Sequence, residues 1–155
     1  MNSIGIRVQP SIVHYTIISH SDESVHILDI NIIKVPAAFL WPEKLKYIRR
    51  TLNDIIDEYN ISKAGIRLTE AFSQNSNNER IVIEGIIQEL FASSSVEKYF
   101  AGGIATISSK LNIPNDGSFK EFVEGKRIFN DIDNWNDFKK EDKESILTCF
   151  AALNL

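Results

Sequence analysis

The stretch RRTLNDIIDEYNISKAGIRL, residues 49–68, contains the change of hydrophobic period that decides the class of fold. Its first half continues an apolar stripe that begins after Pro42 and has the three- and four-residue spacing of an amphipathic helix: Leu45, Ile48, Leu52, Ile55, Ile56 and Tyr59. Its last residues belong to AGIRLT at 64–69, which predicts a strand that begins a few residues after the helix. A helix that leads directly into a strand is typical of an α/β fold.

Further strands and helices lie on both sides of this stretch. Three segments rich in β-branched residues predict an antiparallel meander, because only short polar links separate them: 3–8, 11–19 and 25–35. Beyond the stretch, the sequence predicts a helix at 80–94, a strand at 96–101, two short helices, an acidic loop DIDNWND at 131–137 and a final helix at 141–155. The order β-β-β-α-β-α-β-α predicts one α/β domain over residues 1–155.

Composition excludes several classes of protein. The chain has 155 residues, of which 43% are hydrophobic and 25% charged, and its net charge is −4. This acidity argues against a broad nucleic-acid-binding face, which would need a basic stripe. A single cysteine, Cys149, excludes an internal disulfide and a zinc site with several cysteines. Because no apolar run approaches about 20 residues and no signal-peptide pattern is present, a cytoplasmic protein without contact to a membrane is expected.

The order and spacing of the segments resemble the ribonuclease H-like superfamily, in its Holliday-junction-resolvase (RuvC-type) branch. The resemblance covers about residues 3–153 and rests on IGI in the first strand, the stretch 49–68, AFSQN after it and ESILTCFAAL in the last helix. It implies a mixed five-stranded sheet, with an antiparallel three-strand meander plus two parallel strands, and flanking helices. Active members gather acidic residues around two divalent cations, which activate water and stabilise the leaving oxygen.

Transferred residue by residue, the resemblance implies a degenerate active site. The aspartate that the superfamily carries just after GI in the first strand falls on Arg7. The acid at the end of the fourth strand falls near Leu68 and Thr69, and Glu70 could serve only if the register slips. The acids of the last helix fall on Glu141 and Glu144, which are three residues apart and so on one helical face, with Asp142 as an alternate. An arginine in place of the central ligand implies that two-metal hydrolysis is lost, so no metal or other cofactor is expected.

The predicted burial of Arg7 indicates which residue it pairs with. An unpaired charge buried in a sheet is very costly. The resemblance brings the first strand against the start of the last helix, where the acids lie. The guanidinium of Arg7 is therefore expected to meet Glu144 or Glu141 through two parallel hydrogen bonds.

Three functions stay open from the sequence. The favoured one is a catalytically inactive module that binds a macromolecular partner, protein rather than nucleic acid, and an inhibitor or immunity-type protein is one form of it. A basic partner would suit a cleft rimmed by acids at 141, 142 and 144. The second function is a Mg²⁺- or Mn²⁺-dependent nuclease with rearranged ligands drawn from Glu70, Glu84, Glu141 and Glu144.

The third function is the binding of structured nucleic acid without cleavage. It would use a basic patch on the first helix and before the last one: Lys44, Lys46, Arg49, Arg50, Lys139 and Lys140. Such binding would weaken steeply with salt.

Some of these residues also have an ordinary structural interpretation. The acids at 141–144 fit the solvated first turn of a helix, where they complement the helix dipole. His14 and His26 lie on neighbouring predicted strands, and without a third ligand in view they are interpreted as solvated histidines rather than zinc ligands. Cys149 is interpreted as an unreactive side chain that packs in the core.

Overall fold

The computed structural model describes residues 1–70 and 77–155 and has its strands and helices in the predicted order. The strands are β1 (Asn2–Val8), β2 (Ile12–His20), β3 (Val25–Lys34), β4 (Ile61–Arg67) and β5 (Lys98–Gly102). The helices are α1 (Trp41–Glu58), α2 (Asn78–Ser93), α3 (Ile104–Lys110), α4 (Ser118–Val123) and α5 (Lys140–Leu153), with a 3-10 turn at Trp135–Asp137. The AFSQN segment lies outside the described residues. Within the described ranges, no helix has the length and apolar character needed to cross a membrane.

The described strands form a five-stranded sheet in the order β3-β2-β1-β4-β5. Strand β2 pairs antiparallel with both β1 and β3, whereas β4 pairs parallel with both β1 and β5. Parallel neighbours need a long crossover connection, and α1 and α2 lie in the connections that lead to β4 and β5. The predicted mixed sheet, a meander plus two parallel strands, is confirmed.

Helix α1 packs on the sheet through the predicted stripe. Ile48, Leu52 and Ile56 are fully buried there. The following strand begins at Ile61 rather than at residue 64, because Asn60 adopts a left-handed conformation (φ +50°) directly after the helix. Asparagine tolerates this conformation better than most residues, so the chain reverses within two residues.

Strand β1 divides its side chains between two cores, because successive residues of a strand point to opposite faces of the sheet. Ile4 and Ile6 point into a core shared with α1 and α2. Gly5 and Arg7 point to the other face, which α5 covers. Beyond α5 lies a second apolar cluster that includes residues of α3 and α4.

Helix α5 lies very close to β1 at Gly5. A Cβ atom on Gly5 would come within 2.6 Å of Cys149 Cα and would collide with the backbone of Ser145. Gly65, the partner of Gly5 on β4, lies under Thr148 of the same helix. The close packing seals the Cys149 side chain, and burial raises the pKa of its thiol to about 12. Gly5 therefore lets the helix backbone rest on the sheet, and Gly65 leaves room for the side chains of Phe100 and Thr148.

Replacing Gly5 by alanine should separate α5 from the sheet. The added methyl group meets backbone atoms that cannot rotate away, so Gly5→Ala is expected to lower the free energy of unfolding by about 3 kcal/mol or more. Gly85→Ala is the matched control, since a Cβ at Gly85 in α2 meets nothing within 4 Å and should raise stability by about 1 kcal/mol. Urea titration of both variants measures the difference, and equal stability would contradict the close approach.

Candidate functional site

The candidate site begins where two neighbouring parallel strands end. Arg7 of β1 pairs in register with Arg67 of β4, and with His14 of β2 on its other side. Residues in register on adjacent strands project to the same face, so these three side chains form a row across the sheet beneath the start of α5. Both arginines are buried, with 8% of Arg7 and 4% of Arg67 exposed. The row concentrates nitrogen-bearing groups at one end of the sheet.

Glu144 of α5 lies between the two arginines. Its Oε2 atom is 2.8 Å from Arg7 Nε and 3.6 Å from Arg67 Nε. The contact between Arg7 and Glu144 that the sequence predicts is thus present. Its geometry differs from the prediction: neither Nε–H points at the carboxylate, and within the described residues Glu144 Oε2 accepts no well-aligned hydrogen bond. One acid is shared by two cations, so it cannot form the predicted pair of parallel bonds with Arg7.

The other contacts of the arginines are with main-chain oxygens and one further acid. Arg7 Nη1 donates to the carbonyl of Arg67 over 3.3 Å. Arg67 Nη1 donates to the carbonyl of Leu68 and lies 3.4 Å from Glu70 Oε1. Burial lowers the pKa of the Arg67 guanidinium, the charge of Glu144 acts in the opposite direction, and the charge of Arg7 lowers it further. The two strand-end cations therefore repel each other, and Glu144 holds them together.

Glu70 and Glu84 lie beside this centre, and each accepts hydrogen bonds from neighbouring residues. Glu70, half exposed, accepts a hydrogen bond of 2.9 Å from the backbone N–H of Ile104 at the start of α3. Glu84 is buried on α2 and accepts hydrogen bonds from the backbone N–H and the hydroxyl of Thr69, at 2.9 and 2.7 Å. Both acids hold the chain just after β4 in position.

Glu141 and Asp142 form a second network with β1 and β2. Asp142 contacts His14 Nδ1 at 2.7 Å, and the Oε1 atom of Gln9 lies 3.0 Å from His14 Nε2. Gln9 in turn donates to Glu141 over 2.9 Å. The interpretation of His14 as a solvated residue is wrong: only 3% of it is exposed, because α5 covers this face of the sheet. The acids at the start of α5 thus bind neighbouring side chains.

The residues do not fit a pair of divalent cations. Within residues 1–70 and 77–155, no three His, Cys, Asp or Glu side chains are grouped as metal ligands. Where the superfamily's first-strand ligand would lie, a guanidinium contacts Glu144. A hard cation prefers oxygen ligands, and a positive side chain at this point repels it.

The basic residues of α1 lie away from this centre. Helix α1 packs on the sheet face opposite to the one that carries Arg7. Arg49 is paired with Glu89 of α2, with 2.9 Å between Nε and Oε2. Lys46 and Arg50 line a shallow pocket of about 460 Å³ together with Tyr47 and other α1 residues. The α1 part of the predicted basic patch therefore lies on a different surface from the acidic site residues. Lys139 and Lys140, the rest of that patch, adjoin Glu141 at the start of α5.

Sequence reasoning missed Arg67 and His14 as members of the site. One signal could have found Arg67: the tripeptide GIR occurs twice, at 5–7 and at 65–67, and the two copies pair residue for residue. In each copy the glycine lies on the face that α5 covers, and the arginine follows two residues later on the same face. Two buried strands with the same unusual ending point to one common site.

The sheet order β3-β2-β1-β4-β5, with its antiparallel and parallel pairs, is that of a ribonuclease H-like fold. The Thermus thermophilus RuvC structure is similar, with a TM-score of 0.74 and 10% sequence identity, over 99% of this chain and 94% of that one. A T. thermophilus RuvC complex with a Holliday junction substrate gives a TM-score of 0.71 at 11% identity, over 99% and 94% of the two chains. The yeast mitochondrial Holliday junction resolvase gives 0.62 at 16% identity, over 98% and 77%.

These likenesses establish the fold, which is that of the RuvC-type resolvases. The sequence itself matches no protein-family profile and no curated protein. Fold alone does not define activity, so the function has to be argued from the site.

A double-mutant cycle measures the buried ion pair. Arg7→Ala removes the cation nearest to Glu144, and should lower the free energy of unfolding by about 3 kcal/mol or more. Because the two residues touch, the double variant with Glu144→Ala should lose less than the sum of the single losses, with a coupling of about 1–3 kcal/mol. Arg49→Ala and Glu89→Ala provide the control, since this pair has nearly the same separation but is solvent-exposed and should couple far more weakly. Equal coupling in both cycles would contradict burial of the Arg7 pair.

Proposed function

We propose that this chain is a catalytically inactive ribonuclease H-like module that acts by binding another macromolecule, protein rather than nucleic acid. The observation that carries the first half is the ion cluster at the strand ends, where Arg7 and Arg67 share Glu144. A nuclease of this fold needs free carboxylates at that point to hold its cations. Here the Glu144 carboxylate is paired with two guanidinium groups, so it is not free to hold a metal ion.

The contacts of the acids argue against the alternative function, a nuclease whose metal ligands are rearranged. Each of the four candidate ligands already has a partner of its own: Glu70 with Ile104, Glu84 with Thr69, Glu141 with Gln9 and Glu144 with Arg7. Moving them into one ligand set would break these contacts.

An exposed apolar groove at the edge of the sheet supports a protein partner. This β3 groove has a volume of about 380 Å³ and is lined by Val25, Ile27, Ile132 and Phe150 with His26 and Asn130. Strand β3 is an edge strand whose Val25, Leu28 and Ile32 are each more than 40% exposed. Apolar side chains at an open strand edge are typical of surfaces that bind other proteins.

The charge of the chain narrows the class of partner. At a net charge of −4, electrostatic complementarity favours a basic protein. A basic nuclease, masked by this chain as by an inhibitor or immunity-type protein, is one partner of that kind.

A nuclease assay tests the inactive centre. The purified chain is incubated with Mg²⁺ or Mn²⁺ and with four-way junction, duplex and single-stranded DNA and RNA. No cleavage is expected beyond that of an identically prepared Glu144→Gln variant, because the wild-type carboxylate is already neutralised by arginine. Cleavage by the wild type that Glu144→Gln abolishes would overturn the proposal.

Partner capture tests the protein-binding half. The immobilised full chain is exposed to a lysate of its native host, with and without nuclease treatment, and bound proteins are identified by mass spectrometry. Val25→Asp, in the β3 groove, should abolish capture, whereas Val82→Asp on α2 should preserve it, since both valines are 44% exposed. Capture that disappears on nuclease treatment would indicate nucleic acid instead. Capture that Val82→Asp removes and Val25→Asp retains would exclude the groove.

A further inference from the structure

The β3 groove continues into two further depressions, because each of them shares lining residues with it. One has a volume of about 300 Å³, shares Val25, Asn130 and Phe150 with the groove and extends to the end of α5. The other has a volume of about 340 Å³, shares Ile132 and is lined mainly by the segment 131–137. One surface therefore runs from the edge of the sheet to the acidic segment before α5.

The second depression, the acidic pocket, has aspartates but no lysine or arginine among its lining residues. Besides Ile128, Ile132 and Trp135 it is lined by Asp131, Asp133, Asp137, Asn134 and Asn136. All three aspartates are exposed, and within residues 1–70 and 77–155 none of them belongs to an ion pair. A cationic side chain of a partner would meet carboxylates that no cation of the described residues neutralises, which favours a basic partner at this place.

The acidic pocket is formed by a well-anchored segment. On its two sides lie the buried aromatic residues Phe129 and Trp135, whose ring centroids are 6.2 Å apart. Between them the N–H of Ile132 donates to the carbonyl of Phe129 over 3.0 Å, and Asn130 and Asp131 adopt left-handed conformations. A pocket that is already ordered loses little conformational entropy when a ligand binds.

The outer edge of β3 offers main-chain hydrogen-bonding groups beside this surface. The N–H of Val35 donates to the carbonyl of Ser11, so in the preceding residues every second N–H points away from β2. The N–H of Ile32 is one of these, and its acceptor is the side-chain oxygen of Asn31 at 2.9 Å. Within the described residues no strand pairs with this edge. An extended peptide can therefore pair with β3 as a further strand.

We propose that β3 binds an extended segment of a partner protein as an additional strand, with apolar side chains in the β3 groove and a lysine or arginine in the acidic pocket. This inference rests on the proposed binding of a protein and adds the form and the chemistry of the segment that is bound. Main-chain hydrogen bonds along β3 supply affinity, and the side chains that enter the groove and the pocket supply specificity. Those side chains alternate along the segment, because successive residues of a strand face opposite ways.

Selection of random phage-displayed peptides on the immobilised full chain tests the chemistry of the segment. Enriched peptides should have apolar residues at alternate positions together with a lysine or arginine. Val25→Asp places a charge in the β3 groove and should enrich none of them, whereas Val82→Asp, equally exposed on α2, should enrich the same peptides. Absence of enrichment on the wild type, enrichment of acidic peptides, or equal enrichment on Val25→Asp would overturn the inference.

Fluorescence-polarisation titration of the most enriched peptide tests the acidic pocket. Asp131→Asn combined with Asp133→Asn should weaken binding about 5-fold at low salt, as expected for two solvated charge pairs, and should reduce the salt dependence of binding. Asp54→Asn combined with Asp57→Asn is the matched control, since it removes the same charge from exposed positions on α1 and should leave the affinity nearly unchanged. Equal weakening by both double variants would overturn the assignment of the basic residue to the pocket.

Hydrogen exchange followed by mass spectrometry tests the addition of a strand. The bound peptide should slow exchange in the part of β3 that contains Ile30 and Lys34, whose N–H groups point outward, because these groups then donate to the peptide. Exchange in α1 should stay unchanged. Slowed exchange that is confined to elements other than β3 would show binding without strand addition and would overturn the inference.

The outcomes separate this inference from the function on which it rests. If Val25 is needed for protein capture but no peptide is enriched, a folded surface binds β3, so the protein-binding function stands and the inference is wrong. Light scattering of the purified chain tests another occupant of the edge. A monomer supports the inference, whereas a dimer that Val25→Asp converts to a monomer would place a second copy of this chain on β3 and would overturn it.

Discussion

The close approach of helix α5 to strand β1 at Gly5 is the constraint on which the site depends. With no Cβ on that glycine, the helix backbone rests directly on the sheet. The first turns of α5 are then carried over the ends of β1 and β4, so Glu144 meets Arg7 and Arg67. A side chain at position 5 would move α5 away from the sheet. Glu144 would then separate from Arg7 and Arg67, and a buried cation without a partner is costly. The packing of α5 on β1 therefore also determines whether the two buried arginines are paired with an acid.

Electrostatics at the strand ends is reversed relative to a cation-holding centre. Carboxylates gathered there would repel one another until a divalent ion neutralised them. In this chain the clustered groups are guanidinium ions, and they need an anion. Glu144 supplies one negative charge from within, and it lies closer to Arg7 than to Arg67. The strand ends of this chain therefore present positive side chains, and the charge that they attract is negative.

A second network ties the same helix to the meander. Through Asp142 and His14, and through Glu141 and Gln9, the first turn of α5 is bonded to β2 and to the residue after β1. Just before α5, Trp135 is almost fully buried and its Nε1–H donates to the carbonyl of Phe122 over 2.8 Å. The acidic segment 131–137 thus anchors on the α5 side of the sheet through one aromatic residue, although its composition is that of a solvated loop.

The sequence by itself determined the order of elements, the stripe of α1 and the antiparallel meander, because hydrophobic periodicity is a local property that survives without knowledge of distant contacts. Together with the resemblance, it also determined the mixed sheet and that Arg7 needs an acid from the last helix. The roles of Arg67, His14 and Trp135 were decided only by the tertiary structure. Burial and pairing of these side chains depend on strand register and on which helix covers which face, and residues far apart in the chain set both.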